Sequence, residues 1–411
     1  MYFDHRSGPY LLLSESISWI NVWTASVVAA SGGIWMAGSQ DAARRRAWAD
    51  RVVSGHREDR ERRLQALTAS TGRLDTALKL YRTKFRHHHG VAIRTGFLRL
   101  DDGRDFPRDP DPARSPFRAS EHQHVLRDAV REDVGSRPPL TVLSRRGELA
   151  LRLHLTALYV ASKDTKPGRR FNSQIKNADG TDSWANLAAV DGQYDQRRRL
   201  IVRAVQRLSA VQLAEPRSAD PGRWDRWRLI DETQRGTPYL VPHPSEPVLV
   251  VPSLFFLNGW HLVLRPREIV TLLMLADLAR RHPSDHAETG VGAPNTTRRR
   301  YYGVTPEVYE AHNELEEFGF LELQGGSVHA ARRAGRVEAG VADDHREGRA
   351  QMEALRFNVV WDAAREDASR TVRKALLSHP VPPRFDEWST KREPRAKEPV
   401  GRHAETDGES V

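Results

Sequence analysis

Arg198, Arg199, Arg203 and Gln206 recur at helical spacing, and their guanidinium forks and carboxamide are the groups that reach phosphate oxygens and base edges. With Arg197 they lie in the segment 194–209, where Leu200, Ile201, Ala204, Val205 and Leu208 occupy the other side of a helix. Further on, Arg226 and Arg228 alternate with Trp227 and Leu229 in a strand pattern that Arg223 opens, which aims the cations at water and at a DNA backbone. The plain alternative is a solvated face in an arginine-rich chain, since only eight of the 64 Lys and Arg residues are Lys. The order of the surrounding elements therefore carries more weight than the arginines alone.

Those elements read as helix, turn, helix and hairpin. Gly147 to Ala161 forms a largely apolar helix through Leu149, Leu153, Thr156, Leu158 and Val160. Ser183 caps a short helix ending near Val190, and Asp191-Gly192 stops it with a residue free to adopt positive φ. The 194–209 helix follows, then strands over 211–215 and 223–230 joined by a turn with Pro216, Asp220, Pro221 and Gly222. A second unit begins at Leu264, with Pro266 in the first turn of an apolar helix to Arg280 and a short piece around 297–302 carrying Arg298, Arg299 and Arg300. Thr305 and Pro306 then open a helix with Val308, Ala311, Leu315 and Phe318 inward, which Gly319 ends before a strand. That last helix carries Glu307, Glu310, Glu314, Glu316 and Glu317 and no cation, so phosphates would be repelled, and a packing, dimerising or protein-binding role is expected for 305–318.

Between the units, Pro247 to Leu264 is an apolar, β-branched run with a Gly turn. Two winged helices joined by such a Val-Pro, Phe-Phe, Asn-Gly-Trp stretch resemble the tandem winged helix-turn-helix DNA-binding proteins of bacterial mobile elements. More distantly, the layout is similar to the two-winged-helix replication initiators of plasmids. The likeness covers about 180 residues and implies double-stranded DNA as partner. In such initiators the C-terminal winged helix makes major origin contacts, a part that the acidic helix here does not match.

Catalytic patterns are absent. No phosphate-binding loop of the Gly-x-x-x-x-Gly-Lys-Ser/Thr kind occurs, and Gly290-Val-Gly292 lacks the third glycine of a dinucleotide site. His87, His88, His89, His122 and His124 read as surface histidines, and Pro283 separates His282 from His286. Without cysteine there is no disulfide, thiolate nucleophile or Cys-bound zinc. Neither an enzyme nor a cofactor or metal is expected.

The expected fold is mainly α with small β wings (α+β), two winged helix-turn-helix units and a long N-terminal helix. Its spans are an apolar segment 1–40, a charged helix and basic stretch 41–100, a Pro/Asp/Arg linker 101–140, winged helices 141–245 and 246–330, a loop and helix 331–388, and a disordered tail 389–411. Met352 to Leu377 reads as helical and 325–349 as a loop. In the charged helix a stripe of Leu64, Leu67, Leu74, Leu78 and Tyr81 offers a spacer, a dimerising surface or a helix packed lightly on the body. Residues 17–38 carry no charge, have Trp19 and Trp35 near their ends and precede Arg44-Arg45-Arg46, so they read either as a membrane span with the bulk inside or as a buried helix. A net charge of +10 favours an anionic partner. The function expected is a DNA-binding regulator or initiator in the cytoplasm, able to form a homodimer. The alternative is a membrane-tethered interaction module on the cytoplasmic face of the inner membrane, anchored through 17–38.

Overall fold

The computed structural model describes residues 55–87, 89–100, 137–163, 166–217, 223–232, 236–243, 245–324 and 355–378. The segments 17–38, 101–136, 325–354 and 379–411 lie outside the described residues, as do His88, His122 and His124. Among the described residues no helix is long and apolar enough to cross a membrane. The described residues from 62 onwards belong to one compact unit, and of the other unit only the helical stretch 55–61 is described.

The protein is mainly helical with small antiparallel sheets. Helix α1 covers 55–69 and α2 Thr71–Thr83, followed by β1, Val91–Arg94. Helices α3 (Pro139–Arg146), α4 (Glu148–Lys163), α5 (Trp184–Leu187) and α6 (Tyr194–Ala210) lead into the hairpin β2 (Ala214–Pro216) and β3 (Trp227–Leu229). Strand β4 (Val248–Val251) returns to pair with β1 in the register Val91 to Val251. Helices α7 (Ser253–Leu257), α8 (Trp260–Val263) and α9 (Pro266–Arg281) come next. The remainder includes β5 (Val291–Gly292), α10 (Asn295–Tyr302), α11 (Pro306–Tyr309), α12 (His312–Glu317), β6 (Leu321–Leu323), β7 (Arg356–Val359) and α13 (Ala368–Ser378). The last three strands form a sheet of order β5-β7-β6.

The apolar periodicities explain most of these elements. Helix α4 is buried on nearly every side and α9 almost as completely, so both serve as core columns against which shorter helices lean. Pro266 lies in the first turn of α9, and the Glu268 carboxylate accepts the Arg265 backbone N–H at 2.8 Å. The same carboxylate, fully buried, takes a bidentate bond from Arg63 at 2.5 and 2.8 Å.

The charged helix is no spacer within its described part. Leu67, Leu74, Leu78 and Tyr81 are buried, and Leu64 is half-buried. The Tyr81 hydroxyl lies within the core, donating to the Leu187 carbonyl at 2.9 Å, with His261 Nε2 at 3.0 Å and Thr156 Oγ1 at 3.2 Å. Desolvation raises its pKa, which keeps it a donor. One phenol thus joins α2 to α4, α5 and α8.

Several segments depart from the sequence expectation. Only Val248–Val251 of the 247–264 run is a strand; Asn258-Gly259, with Gly259 at φ 81°, joins two short helices instead. The 305–318 helix breaks into α11 and α12 because His312 is buried and its Nδ1 lies 2.7 Å from the Tyr309 carbonyl, the group an unbroken helix would use. Residues 356–359 form a strand, since Phe357 and Val359 alternate inward against partners far away in sequence. The segment 139–146 is helical, with Leu140 and Leu143 buried. His87 is not a surface histidine: it is buried and stacks on Tyr159 with centroids 4.4 Å apart.

Candidate nucleic-acid interface

Helix α6 follows the expected pattern closely. Ile201, Ala204, Val205 and Leu208 are buried, Leu200 is half-buried, and the helix packs against α4, α5 and β2. Its approach is set by the segment before it. The Ser183 hydroxyl caps α5 by accepting the Asn186 N–H at 3.4 Å, and Gly192 adopts φ 106° in the turn between α5 and α6. In the same turn Ala189 also has positive φ, at 51°, a conformation that an L side chain disfavours. Trp184 of α5 meets Trp227 of β3 at 5.1 Å, which packs the hairpin onto the short helix.

The arginines of α6 divide into two groups. Arg197 donates to the Asn186 side chain, and burial lowers its pKa. Arg198 makes a bidentate pair with Asp225 at 3.0 and 2.5 Å, tying α6 to the 3-10 turn Arg223–Asp225; the pair with Asp225 raises its pKa. These two side chains position the helix. Arg199, Arg203 and Gln206 are exposed and make no hydrogen bond or ion pair among the described residues. At spacings of four and three they share one stripe of about 10 Å, comparable to the width of a DNA major groove. Half-buried Val202 lies between them, and Asp195 begins the stripe.

The hairpin places Trp227 and Leu229 inward and leaves Arg226 exposed. Arg228 is half-buried and pairs across the strands with Glu215. The side chain of Arg223 lies outside the described residues. The structure adds cations that strand periodicity in the sequence missed. Arg217 lies opposite Arg226, its backbone N–H donating to the Arg226 carbonyl at 3.1 Å, and Arg170 bridges to Leu240 from a loop without periodicity.

The second helical region differs. Glu314 of α12 pairs with Arg267 of α9, and burial pushes its pKa up. Glu307 accepts from the Thr305 side chain, which lowers its pKa, and Arg298 lies 3.9 Å from the centroid of the Tyr309 ring. Asp277 of α9 collects Tyr302 at 2.8 Å, Arg280 at 2.9 Å and Arg99 at 3.2 Å.

No known family, no curated protein and no solved structure matches this chain.

Proposed function

We propose that the chain binds double-stranded DNA, with 148–229 as a winged helix-turn-helix whose helix α6 enters the major groove, and that it acts as a transcriptional regulator or replication initiator. The observation that carries the reading is the stripe of Arg199, Arg203 and Gln206. It is exposed and unbonded among the described residues, while Arg197 and Arg198 of the same helix are committed to holding it in place. Guanidinium forks match the two acceptors of guanine and a carboxamide matches adenine, so the stripe has the chemistry of base readout over about three base pairs. Fixed supporting contacts favour that use, because a reading helix gains specificity only when its orientation is set.

The order of elements in the second region, helix α9, strand β5, helices α10 to α12 and the antiparallel β6-β7 pair, with β5, β7 and β6 sharing one small sheet, favours a winged-helix body there as well. Its acidic helix argues against DNA contact there and for a role in packing or partner binding. The test is selection from a pool of random-sequence duplexes by the full chain. A defined motif is expected, with base preference lost at adjacent positions in Arg199→Ala/Arg203→Ala. An unchanged motif in the double variant, or no duplex retained by the wild type, overturns the reading.

A further inference from the structure

The hairpin beside α6 is wider than two strands. Residues 237–241 lie alongside β3, with the Tyr239 N–H donating to the Leu229 carbonyl at 3.0 Å and an antiparallel bridge between Ile230 and Pro238. Residues 168–171 extend it again: the Phe171 N–H donates to the Tyr239 carbonyl at 3.2 Å, the Val241 N–H to the Arg169 carbonyl at 3.0 Å, and Arg170 bridges to Leu240. The result is a ribbon of four extended segments in the order 170, 240, 229, 214.

Strand alternation fixes which side chains share its outer face. Ala214, Trp227, Leu229 and Tyr239 are buried. The opposite parity carries Glu215, Arg217, Arg226, Arg228, Leu240 and Arg170, and Leu240 is exposed at 42%. Four guanidinium groups therefore share one face on which, among the described residues, Glu215 is the single carboxylate and is paired to Arg228. Their proximity shows in Arg217, whose pKa is lowered by burial and then by Arg226, Arg228 and Arg170. Arg217 is anchored to the Ser173 carbonyl, whereas Arg170 and Arg226 make no side-chain bond among the described residues. Like charges held this close repel one another, and an anion spread along the face relieves that repulsion.

We propose that this outer face, through Arg170, Arg217, Arg226 and Arg228, holds the phosphodiester backbone of duplex DNA as an anchoring surface separate from the base-reading stripe of α6. It rests on the DNA-binding reading above and extends it, assigning to the ribbon sequence-independent affinity and to α6 sequence preference. A linear charged backbone fits an arginine row drawn from neighbouring strands better than a compact anion does, because each cation meets a different phosphate.

The test measures affinity of the full chain for a random-sequence duplex across a salt series, alongside the motif selected from the pool. In Arg170→Ala/Arg226→Ala the slope of log affinity against log salt is expected to shrink by about 2, one for each phosphate that is no longer neutralised. The selected motif is expected to persist. Arg170→Lys/Arg226→Lys should restore the slope, because phosphate neutralisation needs charge rather than a fork, and a merely structural role would not respond in that way. A wild-type slope in the alanine variant, together with motif loss in Arg199→Ala/Arg203→Ala, overturns the ribbon proposal and leaves the α6 reading intact. If the wild type retains no duplex, the α6 reading falls and the ribbon proposal falls with it.

Discussion

The two helical regions use arginine in opposite ways. On α6 the guanidinium groups of Arg199 and Arg203 face water, while those of Arg197 and Arg198 are tied down. Around α9 the guanidinium groups turn inward: Arg63 to Glu268, Arg99 and Arg280 to Asp277, and Arg267 to Glu314. A buried ion pair has lost its hydration and is held by its partner, so it organises the fold. An exposed, unpaired guanidinium adds nothing to stability and remains available to an outside anion. The same residue type thus builds an interior scaffold in one region and an exposed, unpaired stripe in the other.

Breaking the scaffold should produce the largest effect. Arg63→Met leaves the buried Glu268 carboxylate without its cation and is expected to cost about 3–5 kcal/mol of unfolding free energy. Chemical denaturation measures it, and a loss below about 1 kcal/mol would remove the interior role. On the other side of the comparison, Arg199→Ala and Arg203→Ala should each weaken binding to the selected duplex by about 1–3 kcal/mol. Neither should move the denaturation midpoint appreciably, and a midpoint shift as large as that of Arg63→Met would erase the contrast.

The buried titratable groups make stability depend on pH with a defined sign. Burial lowers the pKa of His154 and His261 to about 3, so between pH 6.5 and 3 the unfolded chain binds protons that the folded chain does not. Their contribution is lost as pH falls. Burial raises Glu232 to about 8, opposed by Arg94 and reinforced by Asp231, so above pH 4.5 the folded chain keeps a proton that the unfolded chain releases. Its contribution is lost as pH rises towards 8, and buried Glu314 acts in the same sense. From pH 4.5 to 6.5 the two histidines and the two buried carboxylates act in opposite senses and offset one another, whereas the histidines alone act below pH 4.5 and the carboxylates alone above pH 6.5. Stability should therefore be greatest between about pH 4.5 and 6.5. His154→Leu should flatten the acid limb, Glu232→Gln the alkaline one, and melting curves across pH that show no maximum would contradict both.

The smallest expected effect sharpens the frame of α6. Ala189 at φ 51° bears a left-handed backbone that glycine adopts freely, while glycine adds disorder to the unfolded chain. Ala189→Gly should stabilise the protein by under about 1 kcal/mol, read as a small rise in denaturation midpoint. A loss instead would show that the methyl group, 8% exposed, matters more as packing than as strain.

Helix α6 was legible because its evidence is local: a period of 3.6 over seventeen residues, a glycine turn before it and cations on the free side. The burial of α4, Pro266 in the first turn of α9, and the Gly319 stop were legible for the same reason. Strand β7 was hidden because four alternating residues borrow their identity from partners 34 or more positions away. The split between α11 and α12 was hidden because a buried histidine competing for one carbonyl leaves no mark in apolar periodicity.

By itself the sequence determined the main helices, their inward faces and the presence of arginine on α6, since each of these follows from neighbours along the chain. Only the tertiary structure decided which arginines are committed and which are free, because an ion pair such as Arg198 with Asp225 depends on where two distant segments meet. It also decided that Arg170 and Arg217 join Arg226 and Arg228 on one ribbon face, a grouping made by strand pairing across some fifty residues of chain. Position along the chain fixes a side chain's direction, whereas its partner is fixed by the packing of the whole core.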